Sequence, residues 1–179
     1  MKVFLIGFGR TGTKSVSAAL RGAGLNVLDM RAERLNRTQL VRLWANKDYD
    51  ALRALAKKYE VVEDHPWPMI YKELDEWFPE ARFIFMHRDA DLWLKSILKH
   101  TEQRGPSENK LHVFGIDTPV GHEEHYKSVF NAHRAAVRQY FEGHPRYLEV
   151  DLSDEDAEGR IAGFLGMAGL TLPHRNKSQ

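Results

Sequence analysis

Residues 3–24 read VFLIGFGRTGTKSVSAALRGAG, and the fold follows from this stretch. Val3–Ile6 is an apolar run with no polar alternation, the pattern of a short strand buried on both faces, as in a parallel sheet. Thr13–Arg21 has helical character and is closed by the glycines of RGAG. The segment between them, GFGRTGTKS at 7–15, is a glycine-rich turn from strand to helix. A helix N-terminus exposes main-chain N–H groups and the positive end of a dipole, so such a turn attracts an anion. Gly7, Gly9 and Gly12 let the main chain approach a phosphate, Arg10 and Lys14 add charge, and Thr11, Thr13 and Ser15 add hydroxyl donors.

Two phosphate-binding patterns nearly fit. A Walker A loop, G-x-x-x-x-G-K-[ST], matches Gly7 and Gly12, but Thr13 stands where the lysine belongs and Lys14 follows one place late. A dinucleotide fingerprint, G-x-G-x-x-G, matches Gly7, Gly9 and Gly12, with Asp29 as the acid that would meet a ribose. The loop alone leaves a P-loop nucleotide kinase or NTPase and an NAD-binding protein both open.

Working outward, strand and helix signals alternate. LNVLD (25–29) is a second strand candidate, and 31–58 reads as two charged helices broken near NKDYD. YEVVED (59–64) is a strand that ends in acid. Pro66 and Pro68 stop it, and a helical pattern resumes over 69–78. ARFIFMH (81–87) is the clearest buried strand, with a helix over 89–101. The stretch 102–121 has no period and much Gly and Pro, so it reads as a long surface loop. Tyr126, Val129, Phe130, His133, Val137, Tyr140 and Phe141 lie at helical spacing, RYLEVD (146–151) is a last strand, and 155–167 a last helix. The alternation predicts one α/β domain over residues 1–179. Its expected architecture is a three-layer P-loop-like fold, with a central, mostly parallel sheet and helices on both faces.

The bulk numbers narrow the function. A length of 179 residues suits one sizeable core, and a net charge of +1 argues against a general nucleic-acid or membrane binder. With no cysteine, disulfides, thiolate metal sites and cysteine nucleophiles are excluded. The short apolar N-terminus does not suit a signal peptide and no segment suits a membrane span, so a cytoplasmic location is expected.

A second anion site is suggested by FIFMHRDADLWLKSI (83–97). Arg88 stands at the C-terminal end of a buried strand, where open α/β sheets gather ligands. Ser96 lies about two turns into the next helix, on the face of Asp89 and Leu92. An arginine fork and a hydroxyl together suit a phosphate distinct from the one at the first loop.

These two units, in this order, resemble the sulfotransferases that use 3′-phosphoadenosine 5′-phosphosulfate (PAPS). The likeness extends through VVEDHPWPMIYKELDEWFPEARFIFMHRDADLWLKSI (61–97) and FLGMAGLTLPHRNKS (164–178), about half the chain, and is nearest the small branch with a GRTGT loop. The resemblance implies that Gly9, Arg10, Thr11, Gly12, Thr13, Lys14 and Ser15 bind the 5′-phosphosulfate. It likewise implies that Arg88 and Ser96 bind the 3′-phosphate. The implied function is transfer of a sulfuryl group from PAPS to a hydroxyl or amine of a small-molecule or glycan acceptor, leaving adenosine 3′,5′-bisphosphate. The family more often carries lysine where Arg10 stands and a neutral residue at the place of Lys14. Arg10 keeps the charge but cannot serve as a proton donor at neutral pH, whereas Lys14 could.

Such chemistry rests on positioning and charge stabilisation, with Arg10 and Lys14 as its cationic catalysts and no metal required. A base near the sulfur is wanted, and Asp64 at the end of VVED is the candidate, with a turn or helix cap as its alternative role. Glu63 and His65 are substitutes, and His100 a weaker one. His122 and His125 in GHEEHY are three apart and do not fit H-E-x-x-H, so no metal site is assigned. Trp67 and Trp93 flank the site as packing or as platform, and Arg175 and Lys177 are within reach of a phosphate by sequence. Acceptor-pocket residues are expected from 31–58 and 104–125. Besides the kinase, an inactive nucleotide-binding module remains an alternative.

Overall fold

The structure, a computed structural model, describes residues 1–173. Four strands form one sheet in the order β2–β1–β3–β4, all parallel: β1 (Val3–Leu5), β2 (Val61–Glu63), β3 (Arg82–His87) and β4 (Tyr147–Asp151). Side chains alternate across a strand, so each apolar run supplies two cores. Phe4 and Ile6 of the first run join Val62, Phe83 and Phe85 on one face. Val3 and Leu5 join Val61, Ile84, Met86 and Val150 on the other.

Helices cover both faces, which gives three layers. The first face takes α2 (Arg37–Ala45), α3 (Tyr49–Lys58), α4 (Tyr71–Trp77) and part of α7 (Glu123–Tyr140), through Leu40, Leu52, Leu74 and Val137. The second takes α1 (Thr13–Gly22) and α8 (Ala157–Leu165), through Val16, Leu20 and Ile161. A third cluster lies over the loop that follows β1, where Phe8 meets α5 (Ala90–Arg104), α6 (Glu108–Phe114) and α7 through Trp93, Phe114 and Phe130. The aromatic stripe of α7 is therefore largely core, with Tyr126, Phe130, Val137 and Phe141 buried.

Two expectations need correction. LNVLD is not a strand of the sheet: only Val27 bridges to Val61, and the chain then turns as Asp29 accepts the N–H groups of Arg31 (2.9 Å) and Ala32 (3.4 Å). That turn engages one oxygen, Oδ1, of the carboxylate an NAD-binding protein would offer to a ribose. The stretch 102–121 is not one long loop either. It holds the end of α5 and the whole of α6, which Ser107 caps by accepting the Lys110 N–H and which Gly115 ends in the left-handed region. No helix among the described residues is long and apolar enough to cross a membrane. Arg175 and Lys177 lie outside the described residues.

Candidate active site

Because every strand is parallel, the C-terminal ends of all four open on one edge of the sheet. There the loop after β1 meets Glu63–Asp64 from β2, His87–Arg88 from β3 and Asp151–Leu152 from β4. The glycines of the loop do different work. A Cβ at Gly7 would overlap the Met86 carbonyl oxygen and stand 2.7 Å from Thr11 Oγ1, so Gly7 serves close packing of β1 on β3. Gly12 has φ 106°, and a Cβ there would strike Leu152 as well. Gly9 has open space on its Cβ side. Its carbonyl accepts the Trp93 indole N–H at 3.0 Å, and Trp93 itself stacks on Phe130 with ring centroids 4.2 Å apart. Trp93 thus ties the loop to the aromatic cluster.

The first turn of α1 has no side-chain cap. Among the described residues the N–H groups of Gly12, Thr13 and Lys14 have no acceptor, which leaves a row of donors facing outward. Thr11, Thr13 and Ser15 are buried, and the Thr11 hydroxyl donates to the Phe8 carbonyl at 2.7 Å.

Two cavities flank the loop. The larger, about 870 Å³, is bounded by Arg10–Ser15, by Arg88 and Ser96, and by the segments after β4 and near Thr171. Here Arg10 Nε donates to Ser96 Oγ at 3.0 Å, and Arg88 Nη1 reaches the Arg10 carbonyl at 3.4 Å. The fold therefore brings together the loop, Arg88 and Ser96, which the sequence holds more than seventy residues apart. Asp89 caps α5 through the N–H groups of Asp91 and Leu92, both at 3.0 Å, and so fixes the helix that carries Ser96. The smaller cavity, about 480 Å³, lies on the other side, between α5, α6 and the end of β2. Arg10, Thr13 and Lys14 border both.

Asp64 faces the smaller cavity with φ 73° and is buried. Its carboxylate pairs with Arg37, lies 3.7 Å from Lys14 Nζ, and accepts the His65 main-chain N–H at 2.9 Å. Burial opposes its charge, but the hydrogen bond from His65 and the charges of Arg37, His65 and Lys14 outweigh burial and hold it well below the usual carboxylate range. It does not cap the turn that follows: that 3₁₀ turn, Trp67–Ile70, has no side-chain cap. Glu63 pairs with Lys14. An acidic strand end does lie beside the loop, where a Walker B acid would be sought, but both of its carboxylates are taken by this chain's own cations.

His100 also borders this cavity, and burial together with Arg10, Lys110, Arg104 and Arg37 draws its pKa below the usual imidazole value. His65 rests against Phe8, with ring centroids 5.1 Å apart. His125 is engaged by the Phe114 carbonyl at 2.6 Å, and no cluster of metal-binding side chains occurs among the described residues. Arg37, Arg104, Asn109, Lys110 and Phe114 were not individually legible as site residues, although they come from the segments expected to supply the pocket. The missed signal was the Ser107 cap and Gly115 stop of α6, which mark a helix inside the apparent loop.

The fold and this edge define a parallel α/β protein with a glycine loop between two cavities. The chain belongs to the sulfotransferase domain family, whose sequence pattern matches residues 2–118. It is also similar to the Ava biosynthesis cluster protein M of Aspergillus versicolor, 30% identical over 112 residues. That match covers 54% of this chain and 42% of the relative, so the chain spans less than half of that relative's length.

Proposed function

We propose that the chain is a sulfotransferase that takes a sulfuryl group from PAPS and delivers it to a hydroxyl or amine of a small-molecule or glycan acceptor. The observation that carries this reading is the pair of cavities joined at Arg10, Thr13 and Lys14, one rich in anion donors and the other enclosing a carboxylate. The residues fit the donor. The free N–H groups of Gly12, Thr13 and Lys14 suit its 5′ end, and Arg88 with Ser96 suits its 3′-phosphate, a group that ADP and ATP lack.

When bound, PAPS supplies a sulfuryl group on a good leaving group, a phosphate. The acceptor oxygen or nitrogen forms the new bond to sulfur as the bond from sulfur to the 5′-phosphate oxygen breaks, and that oxygen leaves with the electron pair. Arg10, Lys14 and the N–H groups of the α1 first turn stabilise the charge gathering on it. Gly9, held by Trp93, and Gly12, in its left-handed conformation, keep the turn in the shape that aims those donors. Thr13 and Ser15 pack the base of the same turn. Asp64 takes the acceptor's proton. A carboxylate this acidic is a weak base, so its part grows as the acceptor draws Lys14 and Arg37 away from it.

Incubation with sulfur-labelled PAPS and a panel of hydroxyl- and amine-bearing acceptors tests the proposal. Label should appear in an acceptor with equimolar release of adenosine 3′,5′-bisphosphate, and Lys14→Met should abolish it. Tight bisphosphate binding with no transfer to any acceptor would instead favour an inactive nucleotide-binding module.

A further inference from the structure

The smaller cavity carries a charge pattern that bears on the acceptor itself. Its lining includes five cations, Arg10, Lys14, Arg37, Arg104 and Lys110, and a single carboxylate, Asp64. The whole chain has a net charge of only +1, so this is a local concentration. Arg10, Lys14 and Arg37 are engaged by Ser96, Glu63 and Asp64 respectively. Lys110 and Arg104, at the far end of the cavity where α5 gives way to α6, are not.

Lys110 is the telling residue. It is only 9% exposed, and its ammonium donates to a main-chain carbonyl, that of Gly105, at 2.9 Å. Among the described residues no carboxylate lies within ion-pair distance of it. Burial lowers its pKa, and Asp117 only partly counters this from further away. An ammonium partly withdrawn from water, with one neutral partner, is better satisfied when an anion comes to it. His100 also lines this cavity, and burial and then the cations around it, Arg10 and Lys110 first, lower its pKa. The walls are apolar and aromatic, formed by Phe8, Trp93, Ile97, Val113 and Phe114. At about 480 Å³ the space is that of a small-molecule site.

Resting on the sulfotransferase reading, we infer that the acceptor is a small molecule with an aromatic or apolar body and an anionic group, a carboxylate or phosphate, seated on Lys110 and Arg104. The anion then lies at the α5–α6 end of the cavity, and the nucleophilic hydroxyl or amine at the other end, beside Lys14 and Asp64. The cationic seat orients the acceptor so that its nucleophile faces the loop. It also selects against neutral analogues, because these would leave the ammonium with the Gly105 carbonyl alone and no counter-charge.

The test is binding to the full chain of 4-hydroxyphenylacetate and of 4-hydroxyphenylacetamide, its neutral isostere, followed by Trp93-sensitive fluorescence and calorimetry. 4-Hydroxyphenyl phosphate serves as the phosphate arm. The anions should bind at least tenfold more tightly than the amide, and the carboxylate and phosphate arms show which anion is preferred. Lys110→Met, close in volume, should remove about ten- to hundredfold of the anion affinity and leave the amide unchanged. Arg104→Gln, at an exposed position with little bearing on folding, should reduce anion affinity by a smaller factor. Anions no tighter than the amide, absence of binding included, or equal losses for acid and amide in both variants, would overturn the inference. Adenosine 3′,5′-bisphosphate affinity is measured separately on the same samples. Its absence would count against the sulfotransferase reading, whereas its presence with an indifferent cavity would count against the anionic acceptor alone.

Discussion

Arg88→Ala separates a 3′-phosphate site from an arginine that merely braces the loop. In the structure Arg88 is half-buried, and its recorded hydrogen bond is a long one, 3.4 Å, to the Arg10 carbonyl. Truncation therefore removes little from the fold, about 0.5 kcal/mol or less by comparison with surface substitutions elsewhere. A guanidinium bonded to a phosphate is worth more, about 1.5–3 kcal/mol, or roughly ten- to hundredfold in affinity. The assay is calorimetric titration with adenosine 3′,5′-bisphosphate and with adenosine 5′-monophosphate, a pair that differs only in the 3′-phosphate. Arg88→Ala should weaken the first ligand by that factor and leave the second within about twofold. Ser96→Ala should cost less, about fivefold for a neutral hydroxyl of about 1 kcal/mol, with part of that loss coming from Arg10, whose Nε the hydroxyl now holds at 3.0 Å. A parallel loss for both ligands would refute the reasoning and make Arg88 a support for the loop.

Three further outcomes follow from the same geometry. Asp64→Asn should lower turnover by about 10²–10⁴-fold with bisphosphate affinity little changed. Because the Asp64 pKa is depressed, its stabilising charge is present above the unfolded-state value near 4 and is lost only as pH falls further, so rate profiles should carry no acid limb between pH 5 and pH 8 from this group. An acid limb within that window would assign the base to a histidine such as His100. His133, stacked on Phe8 at 4.3 Å, has its pKa lowered to about 4, chiefly by burial against the hydrogen bond to Ile6. The unfolded chain then binds the extra proton first, so stability should fall as pH drops from about 6.5 toward 4, by about 3 kcal/mol in full, and His133→Phe should flatten that slope in chemical denaturation. Trp93→Phe keeps the stack on Phe130 but loses the bond to Gly9, and should cost about 1 kcal/mol in stability and several-fold in bisphosphate affinity.

Much of this architecture is legible in the residues, and the parts that are not share a cause. Val3–Ile6 and Ala81–His87 announce central strands because strands covered on both faces need continuous apolar runs, and the structure places β1 and β3 side by side at the centre of the sheet. The loop and its helix, and the Arg88–Ser96 unit, are local features, so their spacing survives in the sequence. LNVLD has the apolar content of a strand, yet at the sheet edge it keeps only one bridge, because pairing is decided by neighbours and not by composition. Residues 102–121 look like loop because Gly105, Pro106, Gly115 and Pro119 punctuate them, and a helix as short as α6 has too few turns to display a period. The smaller cavity is the least legible part. Arg37, Asp64, His100 and Lys110 come from four separate elements, and only folding gives them a common neighbourhood.

The central claim is that the loop cavity is built for a nucleotide with phosphates at both its 5′ and 3′ positions. Thermal unfolding of the chain with adenosine 3′,5′-bisphosphate, ADP and ATP–Mg, each at the same concentration, tests it most directly. At about 100 times its dissociation constant the bisphosphate should add about 2.7 kcal/mol, which raises Tm by roughly 5–10 °C for a chain of this size. ADP and ATP–Mg should raise it by clearly less. Equal or greater stabilisation by ATP–Mg would contradict the account and return the loop to the nucleotide kinases.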